Sequence, residues 1–175
     1  VPGYNIEPII QSMLYLAWDA GMKLGHRTHK LEEIVHASNQ DLTIKTAMLE
    51  SRFLCGSKLL WMETERELLK IQRWQKKEVI QSIIQACEER RKKNPMSMEP
   101  NIKEGVGGLR DANTLSWICK ILFGSIRLKD RVPEVIDEEE YKEFRSALEF
   151  LYRVRSALHL SAKKKQDVLI LEYIP

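Results

Sequence analysis

The chain has no cysteine pair at metal-ligand spacing, no long apolar run and no excess of one charge, and each absence closes off a class of function. Its three cysteines, Cys55, Cys87 and Cys119, are far apart, odd in number and flanked by apolar residues. With no CxxC pair a zinc site is not expected, and the thiols read as small core hydrophobes of a cytoplasmic protein. No segment approaches the ~20 apolar residues of a membrane span, and no basic-then-apolar leader is present. Lys and Arg number 28 against 25 Asp and Glu, a formal net charge of +3, and the two signs alternate along the chain. The one-sided field that nucleic-acid binders use is therefore missing, so neither nucleic acid nor a membrane is expected as a partner. The single dense basic run, Arg90-Arg91-Lys92-Lys93, closes a helical pattern and reads as a complement to the helix dipole. The chain opens on Val1 rather than on methionine, which suggests processing or truncation.

What is present is an ordinary globular composition, 43% hydrophobic and 30% charged over 175 residues, enough for one substantial core or two small ones. Asn5, with Glu7 and Pro8 behind it, starts a helix that Gly21 stops. Residues 22–28 alternate, with Met22, Leu24, His26 and Thr28 on one side. That pattern predicts a short strand, the only credible one in the sequence. A lone strand needs partners, so the first fifty residues read as the closing half of an α+β unit. A short helix over 31–37 follows, then a longer one capped by Asp41 and ended by Gly56. Residues 57–93 are helical with a break near 72–75, and Asn94-Pro95 ends them. Asp111 is expected to open a helix through Phe123, ended by Gly124. Asp137 caps the last long helix, which carries a stripe of Phe144, Ala147, Leu148, Leu151, Leu158 and Ala162. Residues 167–175 read as the beginning of another helix. The four tryptophans fall within helical stripes and are expected in the core.

Chemistry concentrates in Glu99 to Asp111, EPNIKEGVGGLRD. Three glycines in four positions allow a sharp turn and close backbone approach, directly before a helix whose free N–H groups attract anions. Lys103 and Arg110 bracket it with positive charge. The spacing matches neither the P-loop nor the dinucleotide fingerprint, and from spacing alone a plain helix-entry turn is the simpler reading. Arg155 interrupts the apolar stripe of the last helix, with His159 one turn further on. It either snorkels or pairs with a carboxylate, and Asp111 or Glu104 is the expected partner. His26 reads as a hydrogen-bonded core histidine. Asp41, Thr43, Thr46 and Glu50 form a polar ridge that capping and solvent exposure explain.

The same stretch closely resembles the signature of the bifunctional PII uridylyltransferase/uridylyl-removing enzyme family. Leu14 to Gly21 (LYLAWDAG), Gly25-His26, Asp41-Leu42-Thr43, Leu49 to Arg52 (LESR), Phe150 to Arg155 (FLYRVR) and Leu158-His159-Leu160 are also similar, in the same order along the chain. Val106 departs from the family, which usually has proline there. The resemblance implies a bacterial cytoplasmic enzyme that uses UTP and magnesium to uridylylate the PII signalling protein under glutamine control, with a separate uridylyl-removing domain. Its transferring domain is of the polymerase-beta type, which needs a Gly-Ser turn and an Asp-x-Asp pair to hold Mg²⁺. No two Asp residues of this chain are close enough to form that pair, and Gly56-Ser57 is followed by Lys58-Leu59-Leu60 rather than by the family's motif, so no catalytic or metal-binding residue is assigned and the magnesium ligands are expected outside it. The resemblance implies a mainly α fold: residues 1–51 as the trailing part of the α+β nucleotidyltransferase core, 52–166 as a helical bundle-like domain, and 167–175 as a connection onward. Lys103, Gly105, Gly107, Gly108, Arg110 and Asp111 are the expected nucleotide-binding or cleft-lining residues, supported by Arg155, His159 and His26. Glutamine synthetase adenylyltransferases carry a comparable glycine-rich turn. Two rival readings stay open: a non-catalytic helical interaction module, and a related transferase with another protein target or with ATP.

Overall fold

The computed structural model describes residues 5–173, and its packing divides between Lys30 and Leu31 into two compact units. The fold is mainly α, with seven α-helices among the described residues. This division of the packing does not coincide with the boundary expected near residue 51.

In the N-terminal unit, α1 (Glu7–Asp19) begins where the Asn5 side chain accepts the Glu7 N–H at 3.1 Å, with Pro8 in the first turn. Gly21 ends it at φ +77, a left-handed conformation that glycine adopts without a Cβ penalty. Leu14 and Ala17 are buried, while Leu16 is 72% exposed. The expected strand over 22–28 does not form. Those residues are irregular, and Met22, Leu24, His26 and Thr28 are all exposed. The alternation has no buried side, and no second strand exists among the described residues to pair its backbone groups.

The C-terminal unit opens with a 3₁₀ turn (Leu31–Glu33), then α2 (Ile34–Gln40) and α3 (Leu42–Leu49). Asp41 caps α3, accepting the Thr43 N–H at 2.7 Å. The long helical stretch breaks as its sequence indicates, into α4 (Lys58–Arg73) and α5 (Lys76–Lys93), with Gln75 left-handed at φ +42. Then come α6 (Leu109–Phe123), a 3₁₀ turn (Leu128–Arg131) and α7 (Glu138–Ala162). Leu49 of α3, Val79 and Ile83 of α5 and Ile121 of α6 form the core, flanked by Leu42, Ile80, Trp117 and Ile118. This wedge of α3, α5 and α6 places the glycine turn at the start of α6. Cys87 and Cys119 are buried as expected, but Cys55 is exposed. The expected core tryptophans fare less well, since Trp18 and Trp74 are 42% and 50% exposed.

Asp137 caps α7 with a full reciprocal arrangement. Its Oδ1 accepts from Glu139 N and Glu140 N at 2.8 Å each, and the Glu140 carboxylate accepts the Asp137 N–H. Asp137→Ala should lower unfolding free energy by about 1 kcal/mol, read as a shift in urea midpoint at unchanged m-value.

Candidate functional site

The turn between α5 and α6 builds itself from the backbone. The Asn101 side-chain oxygen accepts the Lys103 and Glu104 N–H groups at 3.0 and 2.8 Å, and its carbonyl accepts Gly105 N–H at 2.8 Å. Each glycine then has its own reason. A Cβ at Gly105 would stand 2.5 Å from the Asn101 carbonyl oxygen, and one at Gly108 would stand 2.8 and 2.9 Å from those of Ile102 and Lys103. Gly107 sits at φ +72. Helix α6 starts at Leu109, two residues before the expected Asp111, because extended Gly108 serves as its cap. Its first amides are already taken: Leu109 N–H donates to Ile102 O, Arg110 N–H to Lys103 O and Asp111 N–H to Gly108 O. These bonds leave the turn closed on itself rather than open as a ring of free N–H groups.

Asp111, at the third position of α6, is the first of two carboxylate anchors. Its oxygens accept from Arg90 Nη2 at 2.6 Å, from Arg91 Nη2 and Nε at 2.7 and 3.1 Å, and from Gly107 N at 2.8 Å. The Cys87 thiol donates to the same carboxylate at 3.4 Å. The basic run at the end of α5 is thus a clamp on the turn, beyond its role at a helix terminus. Burial alone would raise the Asp111 carboxyl, but the bonds from Arg91, Arg90, Gly107 and Cys87 together outweigh it and hold the group far below the usual carboxylate range.

Asp167 is the second anchor. It accepts from Arg155 Nε at 2.7 Å, lies 3.4 Å from His159 Nε2 and faces Lys103 Nζ at 3.9 Å. Burial opposes its ionisation, and Arg155, His159 and Lys103 overcome this, so its carboxyl is also lowered. The expected partner of Arg155 was Asp111 or Glu104. Arg155 bonds Asp167 instead, because Arg90 and Arg91 already satisfy Asp111. Residues 167–171 do not begin an α-helix. They run along the turn, with Ile102 N–H bonded to Asp167 O and Leu169 N–H to Pro100 O, each at 2.9 Å, and an antiparallel bridge between Asn101 and Val168. A 3₁₀ turn (Leu171–Tyr173) follows; Ile174 and Pro175 lie outside the described residues.

Between these anchors Lys103 Nζ meets Glu104 Oε1 at 2.9 Å, and Arg110 Nε meets the same oxygen at 3.5 Å. Burial raises Glu104, and the two cations more than offset it. Arg110 also lines a cavity of about 400 Å³ between α3, α5 and α6, together with Thr46, Glu50, Arg90, Thr114 and Trp117. Trp117 Nε1 donates to Glu50 Oε1 at 2.6 Å. Of the six expected cleft residues only Arg110 reaches this cavity; Lys103, the three glycines and Asp111 set its position from behind. Arg155 and His159 act on the turn through Asp167. His26 belongs to the N-terminal unit, where it is exposed and its ring lies edge-on to Trp18 at 6.1 Å, so it is not the core histidine expected. Thr43, Thr46 and Glu50, read as a solvent ridge, line the cavity. Their steps of three and four residues, which put them on one face of α3, were the available signal.

The stretch that holds both anchors also carries the family match: residues 77–175 match GlnD PII-uridylyltransferase. The chain belongs to the GlnD PII-uridylyltransferase family. Curated relatives named bifunctional uridylyltransferase/uridylyl-removing enzyme agree. Those of Rhodopseudomonas palustris and Bradyrhizobium diazoefficiens are each 36% identical, and that of Novosphingobium aromaticivorans 37%, over 169 residues and 93% of this chain. The chain spans about 18% of the length of each. No solved structure matches the chain. Among the described residues no three His, Cys, Asp or Glu side chains converge to hold an ion, and Asp111 and Asp167 are engaged by arginine and lysine. No magnesium is placed on these residues. No helix among the described residues is long and apolar enough to cross a membrane.

Proposed function

We propose that this chain is a supporting segment of a cytoplasmic protein uridylyltransferase that modifies the PII signalling protein with UTP, and that the segment shapes a cleft rather than performing the transfer. In this reading residues 1–51 trail the nucleotidyltransferase core, residues 52–166 form the helical domain beside it, and 167–175 lead onward. The carrying observation is the doubly anchored turn that presents Arg110 on the wall of the 400 Å³ cavity. An arginine held from behind by Glu104, with the rest of its guanidinium facing a cavity, suits an anionic substrate group, whether a triphosphate or an acidic patch on PII. Magnesium would supply charge neutralisation of the triphosphate and would be held by carboxylates that this chain does not contribute. What these residues do is positional: Asp111 and Asp167 fix the turn, the turn fixes Arg110, and Glu104 sets its direction.

In the complete protein, Arg110→Ala should reduce PII uridylylation roughly tenfold or more, the size expected for losing one hydrogen bond to a charged group. Far-UV circular dichroism should stay unchanged, since Arg110 is 40% exposed at its side chain and only weakly paired. Wild-type kinetics for both UTP and PII in the Arg110→Ala enzyme would remove the cleft role.

A further inference from the structure

We propose that a second cavity, between α2, α3 and the start of α5, binds inorganic phosphate in a form that still carries a proton. The cavity measures about 230 Å³, and Asn39, Gln40, Lys45, Gln75, Glu78 and Ser82 are among its lining residues. It lies apart from the Arg110 cavity and does not depend on the uridylyltransferase reading.

Lys45 is the main reason. Its residue is 4% exposed, and its ammonium donates to the neutral Asn39 Oδ1 at 2.9 Å. Among the described residues no carboxylate pairs with it. A buried ammonium without a counter-ion is costly, and burial accordingly pushes Lys45 below its ordinary range. A cavity with this ammonium in its wall offers the missing charge a place to sit. The start of α5 adds a second, independent source of positive potential. Gln75 precedes the helix without capping it, because its side-chain oxygen accepts the Trp74 indole N–H at 3.0 Å. The first-turn amides of this 18-residue helix are thus uncapped by a side chain, and of that turn Gln75 and Glu78 line the cavity. The Asn39, Gln40 and Gln75 amides and the Ser82 hydroxyl can complete its hydrogen bonds.

Glu78 decides which anion. Glu78 is an exposed residue that lines the same cavity, and a carboxylate there repels a fully deprotonated oxyanion but accepts a hydrogen bond from an O–H group. Phosphate at neutral pH keeps at least one such O–H, whereas sulfate, of similar size, has none. A cavity lined by both Lys45 and Glu78 thus favours phosphate over sulfate, because sulfate would leave the Glu78 acceptor without a donor.

The test is calorimetric titration of this 175-residue chain at pH 7 with inorganic phosphate and, separately, with sulfate. Phosphate should bind with a millimolar or tighter dissociation constant and sulfate at least tenfold more weakly. Lys45→Met, of similar shape and without the charge, should abolish phosphate binding, while its thermal unfolding checks that it folds. Glu78→Gln, on an exposed position, should bring the two anions within a factor of about two. The proposal is overturned if phosphate does not bind, if sulfate binds as tightly, or if Lys45→Met binds phosphate like the parent.

Discussion

Replacing Asp111 by asparagine should remove about 2–3 kcal/mol of stability, the largest loss expected from any single side chain in the turn. The Asp111 side chain is 14% exposed, and so is nearly enclosed with Arg90, which is 16% exposed, while Arg91 is 45% exposed. Removing one member of a buried pair leaves the other charged and uncompensated, at about 3–5 kcal/mol. Solvent around Arg91 screens its share, which places the expectation below that range. The same substitution weakens the bond to Gly107 N–H, so the turn loses a backbone tie as well. The pH dependence has a definite sign. The folded-state pKa of Asp111 lies below its unfolded value, so its contribution is complete above the unfolded carboxylate pKa of about 4. It is lost progressively as pH falls below that value. Urea midpoints of parent and Asp111→Asn should therefore differ by a constant amount at pH 6–8 and converge in acid. A gap that stays constant to pH 2 would show that Asp111 acts through packing and not through its charge. If Arg90→Met is combined with Asp111→Asn, the double variant should lose less than the sum of the two, because each has removed the other's partner.

The helices were legible because they depend on near-neighbour chemistry. Asp41 and Asp137 announce their helix starts and Gly124 and Asn94 their ends, whereas the break before Lys76 falls among Gln72, Arg73 and Gln75, which are good helix formers. Local patterns say less about which carboxylate meets which cation. Arg90 and Arg91 had an adequate explanation at the end of α5, and nothing in their spacing pointed 20 residues ahead to Asp111. Arg155 was read as either snorkelling or pairing with a carboxylate, Asp111 or Glu104, while Asp167 stood in a segment read as the start of a helix. Its true role depends on the antiparallel bridge between Asn101 and Val168, a pairing of two single residues that leaves no alternation to detect. The strand expected over 22–28 failed for the opposite reason: two-residue alternation was present, but a partner was not. Lys45 was hidden in the plain polarity of α3, since one lysine among LTIKTAML carries no sign of its burial. The glycines were the strongest signal of all, and the structure divides their work between two carbonyl approaches and one left-handed turn.

Gly108→Ala carries the largest effect expected on function and tests the anchoring of Arg110 directly. The added methyl would lie 2.8 Å from Ile102 O, 2.9 Å from Lys103 O and 3.0 Å from Gly105 O. The Ile102 and Lys103 carbonyls are the acceptors for the Leu109 and Arg110 N–H groups, so relieving the clash opens the first turn of α6. Overpacking against backbone costs about 1–3 kcal/mol, and the loss of first-turn bonds places the variant at the upper end. Gly105→Ala, 2.5 Å from Asn101 O, should behave similarly. Gly107→Ala meets nothing within 4 Å and pays only for its left-handed backbone, roughly 1 kcal/mol. Gly25→Ala, with open space and no positive φ, should change stability by less than about 0.5 kcal/mol. That ranking, 108 and 105 well above 107 and 107 above 25, follows from geometry alone and is read from urea midpoints. In the complete protein the same ranking should reappear in PII uridylylation, because displacing the start of α6 moves Arg110 away from Glu104 and out of the cavity wall. A Gly108→Ala enzyme that is destabilised yet transfers at the parent rate under conditions where it is folded would separate the turn from the reaction, and Arg110 would then be a surface cation with no part in it.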